Sequence, residues 1–375
     1  MKIGHLIHLD GSGGGPEAVI NLMRGFQLAG HEQVVFLGGN GRIVAACDRM
    51  AIECVRVPIH RKILLLWGMI RLIRSLSRIR PDVLLIQGQW GGPVGAVAAK
   101  MAGVKSVYIT QWPAFYTDWT PWRAFRNAWA EWIPCRLACR VVALTQSVYY
   151  QYLHRRWAGD GKLVLIPNVF QQSGIPSLED SARIRREYGW SHDDVHVVSV
   201  GRLADQKRVD WLLKAWQEVQ QHCAAARLWI VGDGPERAML EGLARQLGIT
   251  RTCTFLGERP HGIEFMAASD VVVMTSLYES CAFVPLEAKA CGKPLIANAV
   301  DGVRDNVRDG VDGYLVAPND SATLALRIME VVNDPLLRHQ MGVAGIAAMA
   351  KIDSHQIIIR YLDLINKTLC PAEQA

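Results

Sequence analysis

Two open α/β domains, each a Rossmann-like parallel sheet covered by helices and the two facing each other across a cleft, are predicted by three observations. The chain has 375 residues, too many for one ordinary hydrophobic core and suited to two. Short apolar runs alternate with stretches of helical spacing in two separate series, the rhythm of strands joined by crossover helices. Between the series, residues 167–194 are polar, contain Pro167 and Pro176 and hold one short charged helical candidate, so the boundary belongs there.

The first series opens with a strand at 2–9, followed by a helical pattern over 16–29 and strand runs at 34–37, 83–86 and 107–110. The second has strand runs at 196–200, 228–231, 252–256, 271–274 and 295–297, and a last helix is expected over 354–369. The division is therefore a first domain at 1–168, a linker at 169–194, a second domain at 195–353 and a C-terminal helix within 354–375. Sheets of this kind bind ligands beyond the carboxyl ends of their strands.

The net charge of +6 hides an asymmetry. Residues 1–168 carry 20 Lys/Arg against 9 Asp/Glu, or +11, which leaves −5 for the remainder. One half should face something anionic. The nine cysteines are odd in number, scattered and without a Cys-x-x-Cys pair, which fits a reducing compartment and argues against a disulfide framework or a zinc site. His5 and His8 would point to opposite faces of the first strand and read as packed side chains. The N-terminus enters a strand directly, so no export signal is expected, and the apolar run 63–70 is too short to span a bilayer.

The most informative stretch runs from 279 to 297. The run at 271–274 reads as a buried strand, Pro285 suits the first turn of a helix and Gly292 its C-terminal stop. Glu279 is therefore expected in a strand-to-helix loop and Glu287 in the first turns of the helix. Free N–H groups at such a helix start bind anions, phosphate above all, and carboxylates beside them accept hydrogen bonds from hydroxyls. Phosphate beside hydroxyls is the outline of a sugar-nucleotide site, although two surface glutamates near a helix N-terminus would give the same spacing. Arg202 follows a predicted strand and Lys207 comes five residues later. A guanidinium fork with an ammonium matches a diphosphate, while spacing alone also fits two solvated cations. Gly13, Gly14 and Gly15 open a helix after the first strand and let the backbone approach a phosphate. A dinucleotide-binding fingerprint competes there, but its third glycine falls on Pro16 and no acid closes the second strand, so a nicotinamide enzyme is not expected.

Further landmarks are Gly14-Gly15-Pro16-Glu17, Gly30-His31-Glu32-Gln33-Val34, Pro167-Asn168, Gly201-Arg202-Leu203 with Lys207, Gly232-Asp233-Gly234-Pro235-Glu236, and the Glu279/Glu287 pair followed by Gly292-Lys293-Pro294. In this order and spacing the chain resembles the retaining glycosyltransferases of family 4, which have the B-type two-domain fold (GT-B). The resemblance spans 1–40, 80–112 and 163–318. It implies that Arg202 and Lys207 hold the donor phosphates and stabilise the departing nucleotide, that Glu279 contacts the donor sugar at the reacting centre, and that Glu287 binds the ribose hydroxyls. It places Gln111 close to the donor sugar, where many relatives have a histidine; glutamine donates and accepts but does not titrate. Gly14, Gly15, Gly201, Asp233, Ala282, Phe283 and Val284 complete the implied donor-binding set, and the family usually shows Phe-Gly where this chain has Cys281-Ala282. The last helix returns to the first domain in the resembled fold. No two aspartates are separated by a single residue, so the Asp-x-Asp metal motif of the other main glycosyltransferase fold is missing. Neither a metal nor a cofactor is expected: the nucleoside-diphosphate sugar is a co-substrate, and positive groups neutralise the leaving diphosphate.

Two segments bear on membranes. Residues 54–81 carry seven Lys/Arg and no acid, with Leu65, Met69, Leu72, Leu76 and Ile79 at helical spacing and Arg71, Arg74 and Arg78 on another face. Further on, Trp112, Trp119, Trp122, Trp129 and Trp132 are interleaved with Arg123, Arg126, Arg136 and Arg140. Basic amphipathic helices with tryptophan lie in membrane interfaces, though a core-facing helix with a solvated basic face has the same pattern. The basic first domain favours the membrane, and no nucleic-acid recognition motif accompanies these segments. The expected function is transfer of a sugar from a nucleoside-diphosphate sugar to a lipid-linked or membrane-presented glycan, by a cytoplasmic protein peripheral on the inner face of an anionic membrane. A sugar-nucleotide epimerase or phosphorylase on the same architecture, and a non-catalytic partner subunit, are the alternatives.

Overall fold

The computed structural model describes residues 1–8, 14–39, 41–59, 65–88, 91–110, 120–159, 161–171 and 174–370. They divide into two compact units, 1–170 with 353–375, and 171–352.

In the first unit, β1 (Lys2–Ile7), β2 (Glu32–Leu37), β3 (Glu53–Arg56), β4 (Val83–Gln87), β5 (Lys105–Ile109), β6 (Arg140–Ala143) and β7 (Leu163–Leu165) form a parallel sheet in the order β3-β2-β1-β4-β5-β6-β7. Its helices are α1 (Gly14–Leu28), α2 (Arg42–Met50), α3 (Leu65–Ile79), α4 (Gly91–Met101), α5 (Pro121–Leu137) and α6 (Gln146–His154). The central strands are apolar on both faces, as a sheet covered on both sides requires: every residue of β4 is buried. The sequence reading missed β3, β6 and β7. Each is three or four residues long, and β3 has exposed charged ends, so none carries an apolar run that stands out.

The second unit holds α7 (Leu178–Glu187), β8 (Val195–Val200), α8 (Val209–His222), β9 (Ala226–Val231), α9 (Arg237–Gln246), β10 (Cys253–Gly257), α10 (Gly262–Ala268), β11 (Val271–Met274), α11 (Val284–Ala290), β12 (Leu295–Asn298), β13 (Gly313–Val316), α12 (Ser321–Asn333) and α13 (Pro335–Met349). Its parallel sheet runs β10-β9-β8-β11-β12-β13.

The segment 169–194, expected as a linker, is mostly part of the second unit. Ser177 and Asp180 form a reciprocal capping box that starts α7, Arg185 donates to the Ala268 carbonyl at 2.8 Å, and Ile184 and Trp190 are buried with Val198 and Phe265. The final helix, α14 (Ser354–Leu369), belongs to the first unit. It lies on α1, where Phe26 meets Tyr361 edge-on at 6.3 Å, and a Cβ on Gly25 would come within 2.2 Å of Ile358.

Candidate active site

In the second sheet the strand order reverses at β8: β9 and β10 follow on one side, β11, β12 and β13 on the other. The loops leaving the carboxyl ends of β8 and β11 lie at this switch point, beyond the strand ends where α/β sheets bind ligands. The β8 loop carries Gly201, Arg202 and a 3-10 turn at Asp205–Lys207; the β11 loop carries Thr275 to Glu279.

Four hydrogen bonds join these loops. Leu277 N–H donates to the Gln206 carbonyl at 2.8 Å, the Gln206 amide to the Tyr278 carbonyl at 2.8 Å, and the Thr275 hydroxyl to the Lys207 carbonyl at 3.0 Å. The Lys207 ammonium donates to Glu279 Oε1 at 2.5 Å, with the carboxylate nearly buried. Arg202 is exposed and shares a small pocket with Ser199, Gly201, Lys207, Thr275 and Ser276. Two of the predicted cations and one predicted carboxylate are thus gathered at one strand-end crevice.

The glycines of the motifs permit close backbone approach. A Cβ on Gly232, at φ +143°, would stand 1.9 Å from the Gly201 carbonyl oxygen, and one on Gly234 2.2 Å from that of Leu203. Asp233 serves this turn: Arg237, at 2.8 Å, and the Gly234 N–H, at 2.7 Å, hold its carboxyl below the usual carboxylate range.

Pro285 lies in the first turn of α11 and Gly292, at φ +65°, ends it. Ala282 and Phe283 are buried and Val284 is half-buried at the start of α11. Glu287 is half-buried one turn into α11. Burial, and secondarily the Glu287 carboxylate, push the Cys291 thiol up to about 12.

In the first unit Gly14 and Gly15 are the exposed first residues of α1, beyond the carboxyl end of β1, the strand at which that sheet's order reverses. Gln111, Trp112, Trp119 and Gly13 lie outside the described residues. Among the described residues no group of three or more His, Cys, Asp and Glu side chains is placed to hold a metal.

Four supporting residues escaped the sequence reading: Gln206, Thr275, Asn298 and Gly302. Asn298 donates its amide to the Thr275 carbonyl at 2.8 Å. Gly302, at φ +80°, lies so near the Glu279–Ser280 backbone that a Cβ would come within 2.6 Å of the Ser280 carbonyl. The Asp301-Gly302 dipeptide after a strand is a turn signal that points to it; the other three carry none.

A model of the glycosyl transferases group 1 matches residues 180–347, and a model of glycosyltransferase family 4 matches 12–170. The chain is 30% identical over 183 residues to N-acetyl-alpha-D-glucosaminyl L-malate synthase of Bacillus anthracis, covering 48% of each chain. It is 32% identical over 172 residues to the lipopolysaccharide core biosynthesis glycosyltransferase LpsD of Rhizobium meliloti, covering 46% of this chain and 49% of that one. The alignments thus span about half the length of these curated relatives. The crystal structure of HepE from Anabaena in complex with UDP and glucose superposes with a TM-score of 0.85 at 23% identity, covering 98% of this chain and 99% of that one.

Proposed function

The chain belongs to family 4 of the glycosyltransferases, with their two-domain GT-B fold, and on that premise we propose that it is a retaining transferase moving a sugar from a nucleoside-diphosphate sugar to a lipid-linked or membrane-presented glycan. The observation that carries the reading is the Lys207–Glu279 pair, joined with Arg202 at the crevice where the strand order reverses. The UDP and glucose of the HepE complex and the lipopolysaccharide role of LpsD support the donor and acceptor classes.

Arg202 and Lys207 take the donor diphosphate, the guanidinium as a fork and the ammonium as a point charge. Lys207 is already oriented by Glu279, so little reorganisation is needed when charge builds on the departing phosphate. Glu279 accepts from donor-sugar hydroxyls and Glu287 from the ribose. The acceptor hydroxyl attacks the anomeric carbon on the face the phosphate leaves. The carbon–oxygen bond to phosphate breaks with its electron pair on the nucleoside diphosphate, and that phosphate oxygen takes the acceptor proton. No metal is assigned to this step. We place the protein in the cytoplasm, peripheral on the inner face of the membrane.

Thermal-shift measurements with UDP-, GDP- and ADP-sugars test the donor, since a ligand that binds the folded state alone raises the melting temperature by mass action. One nucleotide should stabilise the protein. Glu287→Ala should mainly weaken that binding, and Glu279→Ala should mainly lower turnover. Lys207→Ala should cost on the order of 3 kcal/mol in the transition state. Activity should survive EDTA. A wild-type protein that no nucleotide sugar stabilises, or carboxylate variants with unchanged affinity and turnover, would overturn the reading.

A further inference from the structure

We infer that an aromatic rib on α5 is the surface by which the first unit seats on an anionic lipid bilayer. This rests on the membrane-presented acceptor proposed above and names the docking element. Trp122, Phe125, Trp129 and Trp132 are 71%, 55%, 49% and 38% exposed and follow one another along one helix face. Consecutive rings meet at 6.1, 6.1 and 5.4 Å, and the Arg136 guanidinium lies 5.8 Å from the Trp132 ring. The opposite face of the helix is anchored: Asn127, Ala130, Glu131, Pro134 and Cys135 are buried. A rigid helix therefore displays four large aromatic side chains to solvent.

Charge selects the occupant. α3 and α5 both pack against α4, and the only acidic residue in the three helices, Glu131, is buried. Arg71, Arg74, Arg78, Lys100, Arg126 and Arg136 are all exposed. Arg126 and Arg136 stand four residues beyond Trp122 and Trp132 on α5, so a second copy seated on the rib would bring like charges together, whereas an anionic leaflet attracts each cation by about 1 kcal/mol. Tryptophan, with an apolar body and one N–H, suits the lipid–water boundary. α3 also exposes Leu66, Trp67 and Ile70, at 68%, 63% and 40%, beside its arginines, while its Leu72 and Leu76 are wholly buried; the continuous row of four rings is on α5, and that row is the element assigned to insertion. Among the described residues no helix is long and apolar enough to cross a membrane.

The test is co-sedimentation of the full chain with vesicles of phosphatidylcholine alone or with about a third phosphatidylglycerol. The wild type should partition onto the anionic vesicles, with its tryptophan emission shifted to the blue. The triple variant Trp122→Ser, Phe125→Ser, Trp129→Ser should bind about tenfold more weakly, and Leu178→Ser, at a residue 90% exposed in the second unit, should bind as wild type. Equal binding by the triple variant overturns the inference, as does a wild type that ignores anionic vesicles. Self-association that the triple variant abolishes, without vesicle binding, would make the face an interface between copies instead. Nucleotide-sugar stabilisation, measured on the same proteins without vesicles, reports the transferase reading separately: its loss with vesicle binding intact sinks that reading and leaves the docking surface standing.

Discussion

Glu131 is wholly buried in α5, where the Tyr108 and Tyr152 hydroxyls donate to its Oε2 at 2.7 and 2.6 Å. Burial raises its pKa from 4.5 to about 7, and the two hydroxyls pull the other way. Between those values the folded chain keeps a proton that the unfolded chain has lost. This contribution to stability is therefore complete below about pH 4.5 and is lost as pH rises through about 7. Glu131→Gln preserves an acceptor for both tyrosines and cannot ionise. Relative to wild type, the variant should gain stability from about pH 5 to pH 8, approaching 3 kcal/mol at about 1.4 kcal/mol per decade. Urea unfolding at the two pH values measures it, and a difference between variant and wild type that does not move with pH would refute the assignment.

The crevice depends on elements held at backbone distance. The β8 and β11 loops are tied by main-chain and amide hydrogen bonds, and the loop after β12 closes on them through Gly302. Gly302→Ala combines a left-handed φ of +80°, worth about 1–2 kcal/mol against a side chain, with a contact at 2.6 Å from the Ser280 carbonyl. Turnover should fall about tenfold or more, because Glu279 moves with the strand-end loop. Gly310→Ala is the matched control: its φ is +72°, but nothing lies within 4 Å of its Cβ. It should lose stability and keep its activity. Equal activity losses in both variants would show that backbone strain, and not the approach to Ser280, is responsible.

Across the molecule, the first unit is completed by residues far along the chain. α14 buries Ile357, Ile358, Tyr361, Leu364 and Ile365, and Ser354 donates to the Phe170 carbonyl. Removing residues 353–375 should uncover the α1 face around Gly25 and Phe26. Burial is worth about 25 cal/mol per Å² of apolar surface, so five such side chains represent several kcal/mol. Hydrogen exchange of the truncated chain should show lost protection in α1 and β2, with β8 and β11 of the second unit unchanged. Protection kept in α1 would mean that α14 is dispensable.

Several elements were decided by sequence alone. The βα rhythm, the strand at 271–274, the helix with Pro285 in its first turn and Gly292 at its end, and α14 follow from apolar periodicity and from the fixed φ of proline and free φ of glycine, which act within a few residues. The motif order named the family for the same reason, since each motif is local. Tertiary structure alone decided the short strands β3, β6, β7 and β13, whose pairing rests on distant neighbours, and the assignment of 177–190 to the second unit through Arg185 and Trp190. It also placed Lys207 on Glu279, 72 residues away, with Gln206, Thr275, Asn298 and Gly302 holding the crevice. The same holds for α5. The sequence showed its tryptophans interleaved with arginines, but which side of a helix is buried depends on what packs there, and only the fold turned Glu131 inward and the aromatic rib outward.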